Sequence, residues 1–297
     1  MSLLLADYLA GPAGREFEGC IALELGAGTG LSGLLLARTA QRVFLTGMDA
    51  ARACCAAGRC CAVLPYNLNN STTPADAGEA VLQNLRGNAS ANAAAASAAT
   101  RELDWLRPPG WLLRGAGGSN VAADPSPFGW QPADLGQLRG LRCILAADCV
   151  YDNDLTEGMM RTAAALLRWA AEQAPGRQRE EAVLLVALER RVCFTLAGLR
   201  ECAPAYDFWR TTFTAEEAGP SSSESSIEGA AGASGSGKKQ PAQNLTSPPL
   251  LGQRIDAGGV PQRVGGYARS DYLELWELRL DPGVPAAAAT EPEFYTL

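Results

Sequence analysis

Three glycines at alternate positions, Gly26, Gly28 and Gly30, are the residues whose spacing most directly indicates chemistry. They follow the apolar run 21–25 and precede an apolar segment that begins at Leu31, a pattern typical of a buried parallel strand, a tight turn and a helix. Glycines let the backbone approach a ligand closely, and the N–H groups of the following helix point at that ligand. The segment therefore predicts a nucleotide-type binding loop.

The residue at position 31 limits which nucleotide cofactor this loop is expected to bind. The dinucleotide fingerprint Gly-x-Gly-x-x-Gly requires its third glycine at position 31. Because leucine occupies that position, we do not expect NAD as the cofactor, and the sequence argues against a dehydrogenase. The structural alternative is a glycine-rich turn that holds no ligand.

Acidic residues beyond two of the predicted strands are the next candidates for chemistry. A ribose-binding carboxylate is expected about 20 residues after the glycine loop, because its two oxygens match the vicinal hydroxyls of ribose. The second strand is predicted over 42–46, and the candidates after it are Asp49 and Asp76. A second polar cluster, 148–152, follows the apolar strand 141–147. Since ligands of open α/β sheets bind beyond the carboxyl ends of strands, this cluster is a candidate catalytic site.

Composition excludes several classes of function. With 297 residues, of which 47% are hydrophobic, the chain can bury a substantial core. A net charge of −7 argues against direct binding of nucleic acid. The absence of histidine excludes a His-based triad, a His general base and a Cys/His zinc finger. No segment approaches transmembrane length and no secretory signal is visible, so we expect an intracellular protein with reduced cysteines and no membrane partner.

The remaining segments alternate between strand and helix patterns, which is typical of an α/β fold with helices on both faces of a mostly parallel sheet. Asp154 and Glu157 predict the cap of one of the helices, as a capping box. Further strands are predicted over 100–106, 182–188 and 272–278, the last with the period of two expected of an antiparallel or edge strand. Helices are predicted over 4–9, 31–36, from 78 onward, 154–167 and 194–213.

Three segments interrupt this alternation. The segment 47–75 carries four cysteines and no sustained period, and we interpret it as an inserted loop that a translated retained intron would explain. Its cysteines lack Cys-x-x-Cys spacing, so no metal site is expected. The segments 214–249 and 281–297 are predicted to be disordered because they hold few apolar residues. A single domain over 1–213 plus 250–280 remains.

Deleting the 29 residues of 47–75 would join the second strand directly to Asp76. It would also place Asp76 19 residues after Gly28, close to the spacing of about 20 expected of a ribose carboxylate. On this interpretation Asp76, and not Asp49, contacts the ribose.

Six blocks occur in order along the chain, and together they resemble the family 16 protein-lysine methyltransferases. The blocks are 23–33, 76–85, 101–106, 147–156, 189–196 and 273–276. The first contains Glu-Leu-Gly-x-Gly-x-Gly, which resembles motif I of class I methyltransferases. The fourth contains the family's acidic residue followed three positions later by an aromatic one, at Asp148 and Tyr151.

The resemblance implies S-adenosyl-L-methionine as the cofactor and a lysine ε-amine of a protein substrate as the methyl acceptor. It implies a catalytic role for Asp148 and Tyr151. The cofactor contacts that it implies are Glu24, Gly26, Ala27, Gly28, Thr29, Gly30, Asp76, Asp104, Trp105 and Ala147.

The same resemblance implies a Rossmann-like class I domain with a seven-stranded sheet, a nuclear location and a protein partner that carries the target lysine. We expect the chain to be a monomer. A small-molecule methyltransferase and a weakly active S-adenosylmethionine-binding interaction protein are the alternatives.

Overall fold

The computed structural model describes residues 1–47, 74–92, 96–113, 124–173, 181–195, 200–216 and 249–283. Its helices are α1 (Ser2–Leu9), α2 (Leu31–Leu36), α3 (Pro74–Ala91), α4 (Gly110–Leu113), α5 (Pro132–Leu138), α6 (Asn153–Gln173) and α7 (Pro204–Arg210), with a 3₁₀ helix at Pro12–Phe17. Its strands are β1 (Ile21–Leu25), β2 (Arg42–Gly47), β3 (Ala98–Glu102), β4 (Leu141–Ala147), β5 (Val183–Glu189), β6 (Cys193–Thr195), β7 (Arg200–Cys202), β8 (Thr214–Ala215), β9 (Leu250–Ile255) and β10 (Leu273–Leu280).

The main sheet has the strand order β3-β2-β1-β4-β5-β10-β9-β8. Strands β1 to β5 are parallel, β10 runs antiparallel to both β5 and β9, and β8 is parallel to β9. This is a mostly parallel, Rossmann-like α/β sheet, which confirms the predicted fold class. Seven strands have five or more residues, and the two-residue β8 adds a short eighth strand. The period-two segment is β10, which is antiparallel and lies inside the sheet and not at its edge.

Two hydrophobic clusters cover the two faces of the sheet, because side chains alternate along each strand. Leu23 and Leu25 of β1 pack on one face with the inner side of α6, including Leu166. Ala22 faces the other cluster, where Leu4 of α1 and other leucines of α2 and α3 pack. Burial of one such leucine contributes about 1.5–3 kcal/mol, so these clusters hold the ends of β1 and β4 in a rigid frame.

Helix α1 is attached to the loop before β10 by a buried charge. Asp7 is fully buried and accepts hydrogen bonds from the N–H groups of Arg263 and Val264, each at 2.7 Å, and from the Tyr267 hydroxyl. Arg269 forms an ion pair with it at 2.7 Å. Burial acts to raise the pKa of Asp7, but the hydrogen bonds from Tyr267, Arg269 and the backbone outweigh it and lower the pKa. A carboxylate is therefore the stable form at this position.

The prediction of a helix over 194–213 was wrong. That region contains the antiparallel pair of β6 and β7, and among its described residues, 194–195 and 200–213, only Pro204–Arg210 is helical. Pro204 occupies the first turn of α7, where its missing N–H costs nothing. The helix packs on the sheet through Trp209, whose ring lies 5.6 Å from that of Trp276.

Other boundaries shift by a few residues. The third strand lies at Ala98–Glu102, and α3 begins at Pro74, four residues before the predicted start. The cap of α6 is Asp152, whose carboxylate accepts the Leu155 N–H at 3.1 Å, and not Asp154.

The predicted insertions fall mostly on residues outside the described ones, namely 48–73, 217–248 and 284–297. Their edges belong to the fold. Gly47 ends β2 and Thr214 begins β8. Both carboxylate oxygens of Glu216 accept from one guanidinium nitrogen of Arg279, at 2.7 and 2.6 Å. Within the described ranges, no helix is both long enough and apolar enough to cross a bilayer.

Candidate functional site

The glycine loop and the acidic turn are neighbours because β1 and β4 are adjacent strands. The order of the sheet reverses between these two strands, and Leu25 of β1 pairs with Ala146 of β4. In open α/β sheets the crevice at such a switch point is where ligands bind. The chain therefore brings its two main sequence-predicted features to one edge of the sheet.

The glycine loop has the backbone that its sequence requires. Gly26, Gly28 and Gly30 have φ angles of 59°, 55° and 85°, a left-handed region that glycine occupies without strain. Ala27 donates its N–H to the Thr46 carbonyl at 2.8 Å, and Gly30 donates to the Ala27 carbonyl at 2.7 Å. These bonds close the loop and tie it to β2.

Gly26 and Gly28 differ in how much free space surrounds them. A Cβ atom added at Gly26 would lie 3.0 Å from both the Trp105 ring and the Cys149 sulfur, so this side is packed. Among the residues that the structure describes, a Cβ atom added at Gly28 would meet only the Gly26 carbonyl oxygen, at 3.9 Å. Gly28 therefore presents an open surface of backbone, which is the cradle that a ligand approaching closely needs.

Glu24 lies behind the loop and is 2% exposed. Its carboxylate accepts the Gly33 N–H at 3.0 Å, which joins the end of β1 to α2. Burial raises the pKa of Glu24 to about 8, although the hydrogen bonds from Gly33 and Ser32 act in the opposite direction. In this structure Glu24 positions the loop. Its predicted contact with a cofactor stays a prediction.

Asn88 of α3 makes a side-chain contact to the glycine loop. Its side-chain amide donates to the Thr29 carbonyl at 3.0 Å, and Asn92 donates to the Asn88 carbonyl at 2.6 Å. Asn88 was not among the residues predicted to contribute to the site. The available signal was a row of asparagines at intervals of four, at positions 84, 88 and 92, which lie along one side of a helix.

Asp104 and Trp105 form the turn after β3. The Asp104 carboxylate accepts the N–H groups of Leu106 at 2.9 Å and of Arg107 at 3.2 Å. Trp105 is 3% exposed and lies against Gly26, and its indole N–H has no hydrogen-bond partner among the described residues. Trp105 thus packs beneath the glycine loop. Its predicted position beside an adenine stays a prediction.

Ala147 ends β4, and Asp148 turns the chain toward α6. Asp148 has a φ of 62°, the only positive value at a non-glycine position in the described ranges. Such a conformation costs of order 1–3 kcal/mol and is concentrated at functional sites. It is held by the Asp148 N–H, which donates to the Ala187 carbonyl of β5 at 3.0 Å. The strained turn marks Asp148 as a functional candidate independently of its sequence motif.

Arg191 is the ion-pair partner of Asp148 and was not among the predicted site residues. Its guanidinium lies 2.7 Å from the Asp148 carboxylate oxygen Oδ1. The two side chains are 52% and 38% exposed, so the pair is solvated and weak. Arg191 follows β5, the strand next to β4, and its position after a neighbouring strand was the signal that could have identified it.

Tyr151 is 49% exposed and lies near enough to Asp148 and Arg191 for the charges of both to act on its hydroxyl. Partial burial raises the pKa of its hydroxyl, as do Cys149, Asp152 and Asp148, while Arg191 acts to lower it. The phenol is therefore protonated at neutral pH. Its exposed ring forms a surface beside Asp148.

Cys149 is a structural member of the same turn. Its thiol contacts the carbonyl oxygens of Leu25 and Ala147, each at 3.5 Å. Burial raises the pKa of Cys149 to about 12, with further contributions from Glu24 and Asp148. The thiol joins the ends of β1 and β4 and is not a nucleophile.

The two predicted ribose carboxylates are not located by the structure. Asp49 lies outside the described residues, and the backbone of Asp76 is in the first turn of α3 while its side chain is outside the described part. Among the described side chains, no group of three or more His, Cys, Asp or Glu residues could hold a metal ion. The cysteines 54, 55, 60 and 61 are also outside the described residues.

No family model matches the chain. It is similar to two curated proteins, methyltransferase-like protein 22 of Homo sapiens and of Mus musculus, each at 29% identity over 220 and 221 residues. The similarity covers 73% of this chain and 43% and 44% of the two relatives, so the chain spans less than half of their length. It agrees with the methyltransferase resemblance of the six sequence blocks.

Solved structures with lower similarity include the CcbJ methyltransferase of Streptomyces caelestis. It matches with a TM-score of 0.34 and 15% identity, over 65% of this chain and 56% of that one. A phosphoethanolamine N-methyltransferase of Haemonchus contortus matches with a TM-score of 0.31 and 12% identity, over 63% and 25%. Both scores are below 0.5, so the fold assignment depends on the strand order of this chain.

Proposed function

We propose that this chain, which is similar to methyltransferase-like protein 22, is an S-adenosyl-L-methionine-dependent methyltransferase that acts on the ε-amine of a lysine in a protein substrate. The observation that carries the proposal is the juxtaposition of two features at the switch point of the sheet. One is a glycine loop with an open backbone surface at Gly28, and the other is the strained acidic turn at Asp148.

The residues around the loop fit such a cofactor. Positive φ angles at the three glycines keep the loop close to the end of β1, and the absence of a Cβ at Gly28 leaves room for a ligand against the backbone. Residues 26–30, Asp104, Trp105 and Ala147 would hold the cofactor, and Asp76 would contact its ribose. When bound, S-adenosyl-L-methionine supplies a methyl group already activated on a sulfonium.

The protein's own task is to present a neutral amine to that methyl group. A free lysine has a pKa near 10.4 and is protonated at neutral pH, so its ammonium must be held and must release one proton to solvent water before the amine can accept the methyl group. Asp148 offers a carboxylate that holds the ammonium, and because its side chain is 38% exposed, the proton can pass from it to water. Arg191 contacts Oδ1, which leaves Oδ2 to accept a hydrogen bond from the ammonium and to orient the amine.

Tyr151 is the second residue that would contact the lysine that accepts the methyl group. Its exposed ring beside Asp148 suits the apolar stem of a lysine, whose methylene groups pack along aromatic surfaces while the charged end stays polar. Because its hydroxyl pKa is raised, Tyr151 acts as a neutral hydrogen-bond donor or acceptor and not as a base. A protein substrate is favoured because, within the described part of the chain, Asp148 and Tyr151 are 38% and 49% exposed, as a surface that receives a lysine side chain requires.

To test the proposal, the purified chain is incubated with a cell lysate and S-adenosyl-L-methionine that carries a labelled methyl group, and transfer of the label to the lysate is measured. We expect label in protein bands, and methyl-lysine after their acid hydrolysis. The Asp148→Asn variant, in which the carboxylate is replaced by an amide of the same shape, serves as the matched control and should transfer roughly 10²-fold less label or lower still. Label found only in small molecules would assign the alternative substrate class. Binding of NAD without binding of S-adenosylmethionine in calorimetry would refute the proposal.

A further inference from the structure

Two cysteines face each other across the short β-hairpin that follows β5. Cys193 of β6 and Cys202 of β7 are direct partners in the antiparallel register. Their sulfur atoms lie 3.2 Å apart, although nine positions separate them in sequence. This pair lies outside the glycine loop and the acidic turn, and the proposed methyl transfer makes no use of it.

The pair differs from the other described cysteines in its access to solvent. Cys193 is exposed and Cys202 is half-buried, whereas Cys20, Cys143 and Cys149 are buried. Burial raises the pKa of Cys20 to about 11 and that of Cys149 to about 12. Because the thiolate is the reactive form and the oxidant must reach it, these buried thiols are inert by comparison.

The structure assigns Cys193 and Cys202 to a reversible thiol–disulfide site, whose reactant is a small soluble disulfide of the glutathione type. The Cys193 thiolate attacks one sulfur of glutathione disulfide, which forms a mixed disulfide and releases one glutathione thiolate. The Cys202 thiolate then attacks the Cys193 sulfur, forms the intramolecular disulfide and releases the second glutathione. Two cysteine thiols are oxidised, one glutathione disulfide is reduced, and the two thiol protons are carried by the two glutathione molecules.

The order of the two steps follows from the environments of the thiols. Cys193 is the more exposed and meets the oxidant first. The hydrogen bond between the two thiols raises the pKa of Cys202, which keeps Cys202 protonated until its neighbour has reacted. It is then already in contact with the sulfur that it attacks.

The hairpin needs little movement to form the bond. A disulfide has a sulfur–sulfur distance of about 2.0 Å, so the two atoms must approach by roughly 1 Å within a pair of strands that are already hydrogen-bonded. The reaction takes place at the rim of the candidate site, because Arg191, the ion-pair partner of Asp148, precedes Cys193 by two residues.

Peptide mapping after defined oxidation tests this assignment. The full chain is incubated with reduced glutathione, or with glutathione disulfide, then acid-quenched, alkylated and digested with trypsin. Cleavage after Arg200 separates the cysteines, since peptide 192–200 contains Cys193 and peptide 201–210 contains Cys202. We expect the two peptides to be linked in the oxidised sample, with two hydrogens fewer than their sum, and to separate again on addition of a reductant.

Cysteine-to-serine variants test whether other thiols of the chain take part in the disulfide. A background in which cysteines 54, 55, 60 and 61 are replaced by serine should keep the linked peptide pair. In the same background, Cys202→Ser should abolish the link and leave Cys193 carrying one glutathione. The assignment is overturned if the oxidised chain carries glutathione on Cys193 and Cys202 separately with no linked pair, or if either cysteine links instead to another thiol. The readout is a peptide mass, so it is independent of whether the chain transfers methyl groups.

Discussion

Replacement of Glu24 by glutamine tests how the glycine loop is held. Glu24→Gln keeps the shape of the side chain and an oxygen that can accept the Gly33 N–H, which Glu24 accepts at 3.0 Å. It removes the ability of a side chain that is 2% exposed to ionise. Because a buried carboxylate is costly to charge, the variant should lose a pH dependence that the native chain has.

The magnitude follows from the pKa of Glu24. Its ordinary value is 4.5 and its folded value is about 8, and each unit of difference corresponds to about 1.4 kcal/mol. A raised folded pKa means that the protonated form favours folding. The free energy of unfolding is therefore highest below about pH 4.5 and falls as the pH rises toward 8. The loss attributable to Glu24 is roughly 3 kcal/mol at pH 7 and roughly 5 kcal/mol above pH 8.

Urea unfolding at about pH 5, 7 and 9 measures this loss. The difference in unfolding free energy between Glu24→Gln and the native chain should grow in favour of the variant across this series. Glu18→Gln is the matched control, because Glu18 is exposed, and its profile should follow that of the native chain. If the difference between Glu24→Gln and the native chain is constant from pH 5 to 9, Glu24 does not titrate in this range and burial does not raise its pKa as described.

Three further changes have defined outcomes. Asp148→Asn should lower methyl transfer roughly 10²-fold or more and leave cofactor affinity by calorimetry within a few-fold, whereas a parallel loss of affinity would make Asp148 a cofactor ligand. Gly26→Ala, which places a Cβ 3.0 Å from Trp105 at a φ of 59°, should lower the thermal midpoint and weaken cofactor binding, and an unchanged midpoint would contradict the packing described. Asp7→Asn should cost about 3–5 kcal/mol in urea unfolding, because it removes the charge of a fully buried carboxylate and leaves the partly buried Arg269 without its charge partner, and a loss below about 1 kcal/mol would mean that the pair contributes little.

The order of the central strands could be predicted from the sequence, because a parallel strand that is buried on both faces consists almost entirely of apolar residues. The runs in 21–25, 141–147 and 182–188 correspond to β1, β4 and β5 within one residue. The hairpin of β6 and β7 was missed because its strands have three residues each, too few to show a period that separates strand from helix.

Local sequence also determined the glycine loop and the acidic turn, because their chemistry depends on residues next to one another. Glycines at 26, 28 and 30 permit the φ angles that the loop adopts, and Asp148 follows a strand end directly. The partners of these residues were decided only by the tertiary structure. Arg191 reaches Asp148 from 43 residues away, and Asn88 reaches Thr29 from 59. Such contacts depend on which strands lie side by side and how each helix packs on them, and no pattern within a single segment encodes that arrangement.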